Sequence, residues 1–157
     1  MKTIALSAGD VDMLVELEKR ARESEPDIWS GEFDEEDFRA KTLGALEDPR
    51  FACATCLVCV GEDGRAVGRL DFALLPSLAF GGDLRAYVDW VYVLKERRRD
   101  GVARLLFAEM ERRLREAGAG AYFLVAAENA DAQGFYAGME GSRIERQGVL
   151  TKELRPD

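Results

Sequence analysis

The segment 102–117 restricts how this chain can fold more than any other. Val102, Leu106, Met110 and Leu114 recur every four residues, with Leu105 and Ala117 widening the stripe. Arg104, Glu111, Arg112 and Arg115 fall on the opposite side. This is an amphipathic helix with one face to bury. The apolar run 84–94 precedes it as a strand. After Gly118, which ends the helix, 121–126 follows as a short buried strand. Strand, helix and buried strand make a crossover unit, so the two strands are parallel and the connection right-handed.

The other elements arrange themselves around that unit. Lys2–Leu6 reads as a first strand. A helix begins at Asp10, with Val11, Leu14, Val15 and Leu17 at helical spacing, and stops near Glu25-Pro26 because proline cannot continue it. The stretch 26–31 is a loop. A second helix covers 34–47, with Phe38, Leu43 and Leu46 inward and Asp48-Pro49 as terminator. Strands at 51–60 and 66–75 are joined by the hairpin signal Glu62-Asp63-Gly64-Arg65. A loop is expected at 76–82, a short helix at 129–137, and closing strands at 143–147 and 149–154. With 157 residues, 47% of them apolar and 9% aromatic, the chain suits one core of ~100–200 residues. The expectation is a single α+β domain over 1–157. Its sheet has about seven strands, mixed but mostly antiparallel, with the parallel pair at its centre and about four flanking helices.

Charge and residue usage exclude several functions. A formal net charge of −8 counts against nucleic-acid and anionic-membrane partners, which need a basic face. Histidine is absent, which removes Ser-His-Asp and Cys-His triads and every histidine-ligated zinc site. A general base must be a carboxylate, lysine, tyrosine or relayed water. Cys53, Cys56 and Cys59 form C-x-x-C-x-x-C, yet on a strand Cys53 and Cys56 point to opposite faces about 10 Å apart. They read as small apolar residues of a buried strand, and no metal is expected. The longest uncharged runs, 51–61, 72–82 and 117–127, fall short of the ~20 residues a spanning helix needs. No signal peptide is legible, and the odd cysteine count suits a reduced, cytoplasmic protein.

Chemistry concentrates at the entrance to the long helix, Arg98-Arg99-Asp100-Gly101-Val102-Ala103-Arg104. A glycine there lets a ligand approach the backbone, and the first helical N–H groups favour anions, above all phosphates. The structural alternative is a solvated basic helix start with Asp100 as its N-cap. Arg98-x-x-Gly101-x-Ala103 resembles the (Gln/Arg)-x-x-Gly-x-(Gly/Ala) acyl-CoA signature of the GNAT superfamily of N-acetyltransferases. Val91-Tyr92-Val93 looks like that family's fourth strand. Asn129-x-x-Ala132-x-x-Phe135-Tyr136 resembles its second motif, and the element order is similar over nearly the whole chain. The chain departs from the family after Tyr136, where Ala137-Gly138-Met139 replaces the usual Gly-Phe.

The resemblance implies acetyl-CoA as co-substrate, with its pyrophosphate on the Gly101 turn and its pantetheine arm along Val91, Tyr92 and Val93. A backbone N–H near Val93 would polarise the thioester carbonyl. An attacking alkyl amine is mostly protonated at neutral pH, so a base is needed. Asp89 sits where some members carry a catalytic glutamate, with Asp71 and Glu128 as rivals. Tyr136 is the expected acid for the departing thiolate, and Asn129 is expected to bond cofactor or backbone. Ile28 and Trp29 lie where members bind acceptors, flanked by Glu25, Asp27, Glu32, Asp34, Glu35 and Glu36. The implied activity moves an acetyl group to a primary amine of a small molecule or peptide, with a homodimer left open. The alternative is a catalytically silent acyl-CoA sensor or partner-binding module. Action on charged tRNA is disfavoured by the net charge.

Overall fold

The computed structural model describes residues 1–29, 31–78, 82–145 and 148–152. The chain divides into two compact units, Met1–Leu124 and Val125–Asp157.

The first unit is built on a five-stranded sheet in the order β1-β2-β3-β4-β5, from Lys2–Ala5, Ala54–Val60, Ala66–Ser77, Asp83–Val93 and Ala121–Leu124. Every neighbouring pair is antiparallel except β4 and β5, which are parallel. Between β4 and β5 runs α3, Val102–Glu116, as the crossover requires. Its buried stripe is Val102, Leu106, Phe107, Met110 and Leu114. Leu105 and Ala117 instead lie exposed, because the sheet covers a narrower arc of the helix than the sequence stripe suggests. Gly68 on β3 fits under the start of α3: a Cβ there would stand 2.9 Å from Val102 Cγ1 and 2.9 Å from the Tyr92 carbonyl oxygen. A side chain at that position would push the helix entrance off the sheet.

The opposite face of the sheet is covered by α1, Val11–Ser24. Leu14, Leu17 and Ala21 pack there with Val58, Val60, Ala66, Tyr92 and Leu94. The second helix, α2, spans Glu35–Glu47, and the Asp34 carboxylate caps it by accepting from the Glu36 and Asp37 N–H groups. Phe38 packs against the α1 cluster. Leu46, expected inward, is exposed.

Some boundaries differ from the sequence reading. The strand expected at 66–75 runs on through Pro76 and Ser77, which pair with Leu84 and Asp83. The expected loop is therefore shorter at its start, and 79–81 lie outside the described residues. The strand expected at 121–126 ends at Leu124.

In the second unit, α4 spans Ala130–Ala137. The closing strands at 143–147 and 149–154 do not form where the chain is described, at 143–145 and 149–152; the rest of them lies outside the described residues. Hence the sheet has five strands among the described residues, against about seven expected. Ile144, Val149 and Leu150 are all more than half exposed, so no buried face fixes a register for them.

Candidate active site

Two irregularities of β4 create the site. Trp90 pairs with Asp71 and Val88 with Phe72, which leaves Asp89 as the extra residue of a bulge. The bulge shifts side-chain alternation by one, so Ala86 and Val88 share the α3 face of the sheet with Val91 and Val93. Next, β4 pairs with β5 only from Arg85 to Val88. From Asp89 onward that side of β4 has no strand partner among the described residues. The Leu94 N–H donates to the Val67 carbonyl at 3.1 Å. Antiparallel alternation then commits the peptide groups of Tyr92 to β3 and aims those of Val91 and Val93 at the open edge. Consistent with this, Arg98 Nε donates to the Val93 carbonyl at 3.3 Å. Asp89 is exposed, as the bulge leaves it.

Past Val93 the chain makes one helical turn at Lys95–Arg97 and reaches α3 through Arg98-Arg99-Asp100-Gly101. Arg99 and Gly101 both take left-handed backbone, with φ of 70° and 84°. Gly101 holds the N-cap position, and no side chain caps the helix. The structural alternative had Asp100 as N-cap, and its carboxylate instead accepts from Arg97 Nε at 2.9 Å. The first N–H groups of α3, at Val102, Ala103 and Arg104, are thereby left open to an anion. Arg99 and Arg104 are exposed and carry no ion pair among the described residues. Arg98, by contrast, is held by Glu25, its Nη2 donating to Glu25 Oε2 at 2.5 Å.

On the α1 side of β4, Trp29 packs with its ring centroid 5.6 Å from that of Trp90 and 5.5 Å from that of Tyr92. The Arg22 guanidinium stacks over Trp29 at 4.8 Å. Ile28, beside it, is exposed. The Tyr92 hydroxyl donates to Glu25 Oε2 at 2.9 Å, and burial together with that carboxylate pushes the phenol up to about 12. Asp71 is already engaged: Arg69 Nε donates to it at 2.7 Å while Arg69 Nη1 donates to Glu18 at 2.5 Å. The cysteines do not converge. Cys53 precedes β2 and is exposed, Cys56 packs toward α1, and Cys59 pairs with Gly68 on the other face. Burial pushes the Cys56 and Cys59 thiols up, so neither is a nucleophile at neutral pH.

The second unit carries the remaining candidates. Asn129 caps α4, its Oδ1 accepting from the Ala132 N–H at 2.9 Å. Glu128, just before it, is exposed. Tyr136 lies in the last turn of α4, edge-on to Phe135 with centroids 5.4 Å apart. Burial raises the Tyr136 phenol above its ordinary range, so it keeps its proton at neutral pH.

The structure thus brings together Asp89, Val91, Tyr92, Val93 and the 98–104 turn in the first unit, with Trp29 against β4. Asn129, Ala132 and Tyr136 share α4 in the second. Glu25 was missed as a site residue by sequence reasoning, which saw only one acidic residue among six around a loop. Its contacts lie 67 and 73 positions downstream, and no local pattern announces them.

Residues 13–139 match the acetyltransferase (GNAT) family. Among curated proteins, none matches the chain by sequence. Solved structures share the fold. One described as a probable acetyltransferase is 18% identical with a TM-score of 0.79, covering 100% of both chains. An aminoglycoside acetyltransferase from an uncultured soil metagenomic sample is 19% identical at TM-score 0.78, covering 98% of this chain and 96% of its own. A ribosomal-protein-alanine N-acetyltransferase from Brucella melitensis biovar Abortus 2308 is 19% identical at TM-score 0.72, covering 97% and 100%.

Proposed function

Since the chain belongs to the GNAT acetyltransferase family, we propose that it transfers an acetyl group from acetyl-CoA to a primary amine of a small molecule or peptide. One observation carries this: the open edge of β4 leads, through the turn at 95–101, to an uncapped helix N-terminus. An extended, amide-bearing chain ending in a pyrophosphate fits such a surface in both of its parts. The peptide groups of Val91 pair with the extended arm as a strand would, while the Val93 N–H faces the acyl carbonyl. The N–H groups of Val102, Ala103 and Arg104, with Arg99 and Arg104 beside them, hold the pyrophosphate. When bound, acetyl-CoA supplies an activated acyl carbon, and no metal is required.

Each residue then has a task. The Val93 N–H, aimed at the open edge, stabilises negative charge as it develops on the acyl oxygen. Asp89, exposed on the bulge and without an ion pair among the described residues, takes a proton from the acceptor's ammonium group, directly or through water, and so frees the amine lone pair to attack the acyl carbon. Asp71 is a poorer base because Arg69 already occupies it. Tyr136 holds the proton destined for the leaving thiolate. Ile28 and Trp29 receive the acceptor, and the carboxylates around them favour a cation. In this reading 1–157 is one catalytic domain, acting in the cytoplasm.

The test joins binding and turnover. Calorimetry with acetyl-CoA is run on the wild type and on folded Gly101→Glu, which sets a carboxylate at the helix mouth. CoA-thiol release is then followed over a panel of amines for the wild type, Asp89→Asn and Tyr136→Phe. We expect binding by the wild type and its loss in Gly101→Glu. Turnover should fall ~10²-fold or more in Asp89→Asn and ~10- to 10³-fold in Tyr136→Phe. Binding without turnover of any amine would favour the sensor. Failure of the wild type to bind overturns the reading.

A further inference from the structure

Arg98 is the first residue of the helix entrance, yet its guanidinium is not at the helix mouth. It is half-buried, gripping the Val93 carbonyl with Nε at 3.3 Å and Glu25 with Nη2 at 2.5 Å. The bond to Val93 is long, and a flexible arginine does not stay in one rotamer for a contact of that length. The charge-assisted contact to Glu25 is the one that fixes it.

Glu25 is itself immobilised from three directions. It follows directly on α1, and its N–H donates to the Ala21 carbonyl at 3.0 Å. The last turn of α1 is anchored by Leu17 and Ala21, both fully buried. The Tyr92 hydroxyl donates to the same Oε2 that receives Arg98. The Glu25 side chain is only 9% exposed. A nearly buried carboxylate at the end of a helix therefore reaches the strand edge and the turn where the cofactor is proposed to bind.

We propose that Glu25 is a positioning residue: it holds Arg98 on the Val93 carbonyl, and so fixes both the open edge of β4 and the Gly101 turn for acetyl-CoA. This inference rests on the function proposed above. With Glu25 in place, the Val93 carbonyl is satisfied and only its N–H remains for the incoming acyl group. Arg98 is likewise kept from folding over the helix mouth. Because Glu25 also opens the loop that carries Ile28 and Trp29, the acceptor loop and the cofactor turn share one anchor.

The experiment measures acetyl-CoA affinity by calorimetry alongside KM and kcat for the wild type, Glu25→Ala, Glu25→Gln, Arg98→Ala and the Glu25→Ala/Arg98→Ala double variant. Glu25→Ala should raise Kd and KM for acetyl-CoA together by ~10-fold, with kcat at saturation within ~3-fold. Glu25→Gln, which still accepts from both donors, should recover most of that loss. The double variant should bind no more weakly than Arg98→Ala alone, since Glu25 acts through Arg98. If Glu25→Ala does not fold, Arg98→Lys reads the same coupling: it keeps the charge, loses the two-handed grip and should weaken binding similarly. Unchanged affinity in Glu25→Ala, or additive losses in the double variant, overturns the proposal. So does a fall in kcat at constant Kd, which would make Glu25 a proton acceptor instead. A wild type that binds no acetyl-CoA overturns the underlying function, whereas a wild type that binds as well as Glu25→Ala overturns only the role of Glu25.

Discussion

The two faces of the sheet are built from different chemistry. Under α3, register and alternation place Leu57, Leu70, Phe72, Ala86 and Val88 against Val102, Leu106, Met110 and Leu114, and every one is buried and apolar. Under α1, Leu14, Leu17, Val58 and Val60 share the interface with Glu18, Arg69 and Asp71. Glu18 is 5% exposed, the one buried charged residue among those described. Apolar packing stabilises without directional demands, whereas buried ion pairs give back in desolvation most of what they gain in attraction. The α3 face therefore secures the crossover that presents the Gly101 turn. The α1 face trades stability for fixed orientation of β3 and β4, the strands that carry Asp71, Asp89, Trp90 and Tyr92.

The largest expected effect breaks that contrast from the charged side. Arg69→Met leaves the buried Glu18 and the half-buried Asp71 without their shared partner and should cost about 3–5 kcal/mol in urea unfolding. The triple variant Arg69→Met/Glu18→Leu/Asp71→Val removes all three charges and should return to within ~2 kcal/mol of the wild type, or exceed it. A cost below about 1 kcal/mol for Arg69→Met would show that water reaches the network, and the two faces would then not differ as described.

A smaller effect sharpens the apolar side. Gly68→Ala sets a methyl 2.9 Å from both Val102 Cγ1 and the Tyr92 carbonyl oxygen, and the backbone oxygen cannot turn aside. The entrance of α3 must lift, at a cost of about 1–3 kcal/mol. Since that entrance is the proposed pyrophosphate site, acetyl-CoA affinity should also fall in molecules that remain folded. Calorimetry on folded protein separates the two consequences, and unchanged affinity would mean that α3 adjusts along its length while its first turn stays in place.

How legible the molecule was in its sequence follows the same division. The crossover could be read because α3 repeats its apolar residues locally, and local periodicity needs no tertiary partner to be seen. Even so, Phe107 belongs to the stripe and Leu105 does not, a choice the sheet makes. The Asp89 bulge exists only relative to β3, so its sequence has no mark of it. Asp100 looked like a cap by residue type, but Arg97 lies three positions away and takes its carboxylate. The closing strands had the right residues, yet Ile144, Val149 and Leu150 are exposed, so where the chain is described no buried face fixes them. Val91–Val93 and Gly101 were found through a motif, and the motif says nothing of Glu25, whose position depends on where α1 ends.

The smallest expected effect contrasts the charges of α3 with those beneath α1. Glu109, on the outer side of α3, accepts from Arg112 Nε at 2.8 Å, from Arg112 Nη2 at 2.7 Å and from Arg113 Nε at 2.7 Å. These guanidinium groups, Arg112 foremost, hold its carboxyl down to about 2 from an ordinary value of 4.5. A carboxyl depressed in the folded state binds its proton more weakly there than in the unfolded chain. Its contribution is therefore complete above about pH 4.5 and is lost as the pH falls toward 2. Both arginines are substantially exposed, and screening by water holds the contribution to about 0.2–1 kcal/mol. Glu109→Gln should accordingly trail the wild type by that amount near pH 6, and the gap should close as unfolding is repeated down to about pH 2.5. Added salt should narrow it as well, because exposed pairs are screened. The Arg69→Met deficit should persist in the same salt, since a pair shielded from solvent is screened far less. If salt erased both deficits alike, burial would not be what separates the two sets of charges.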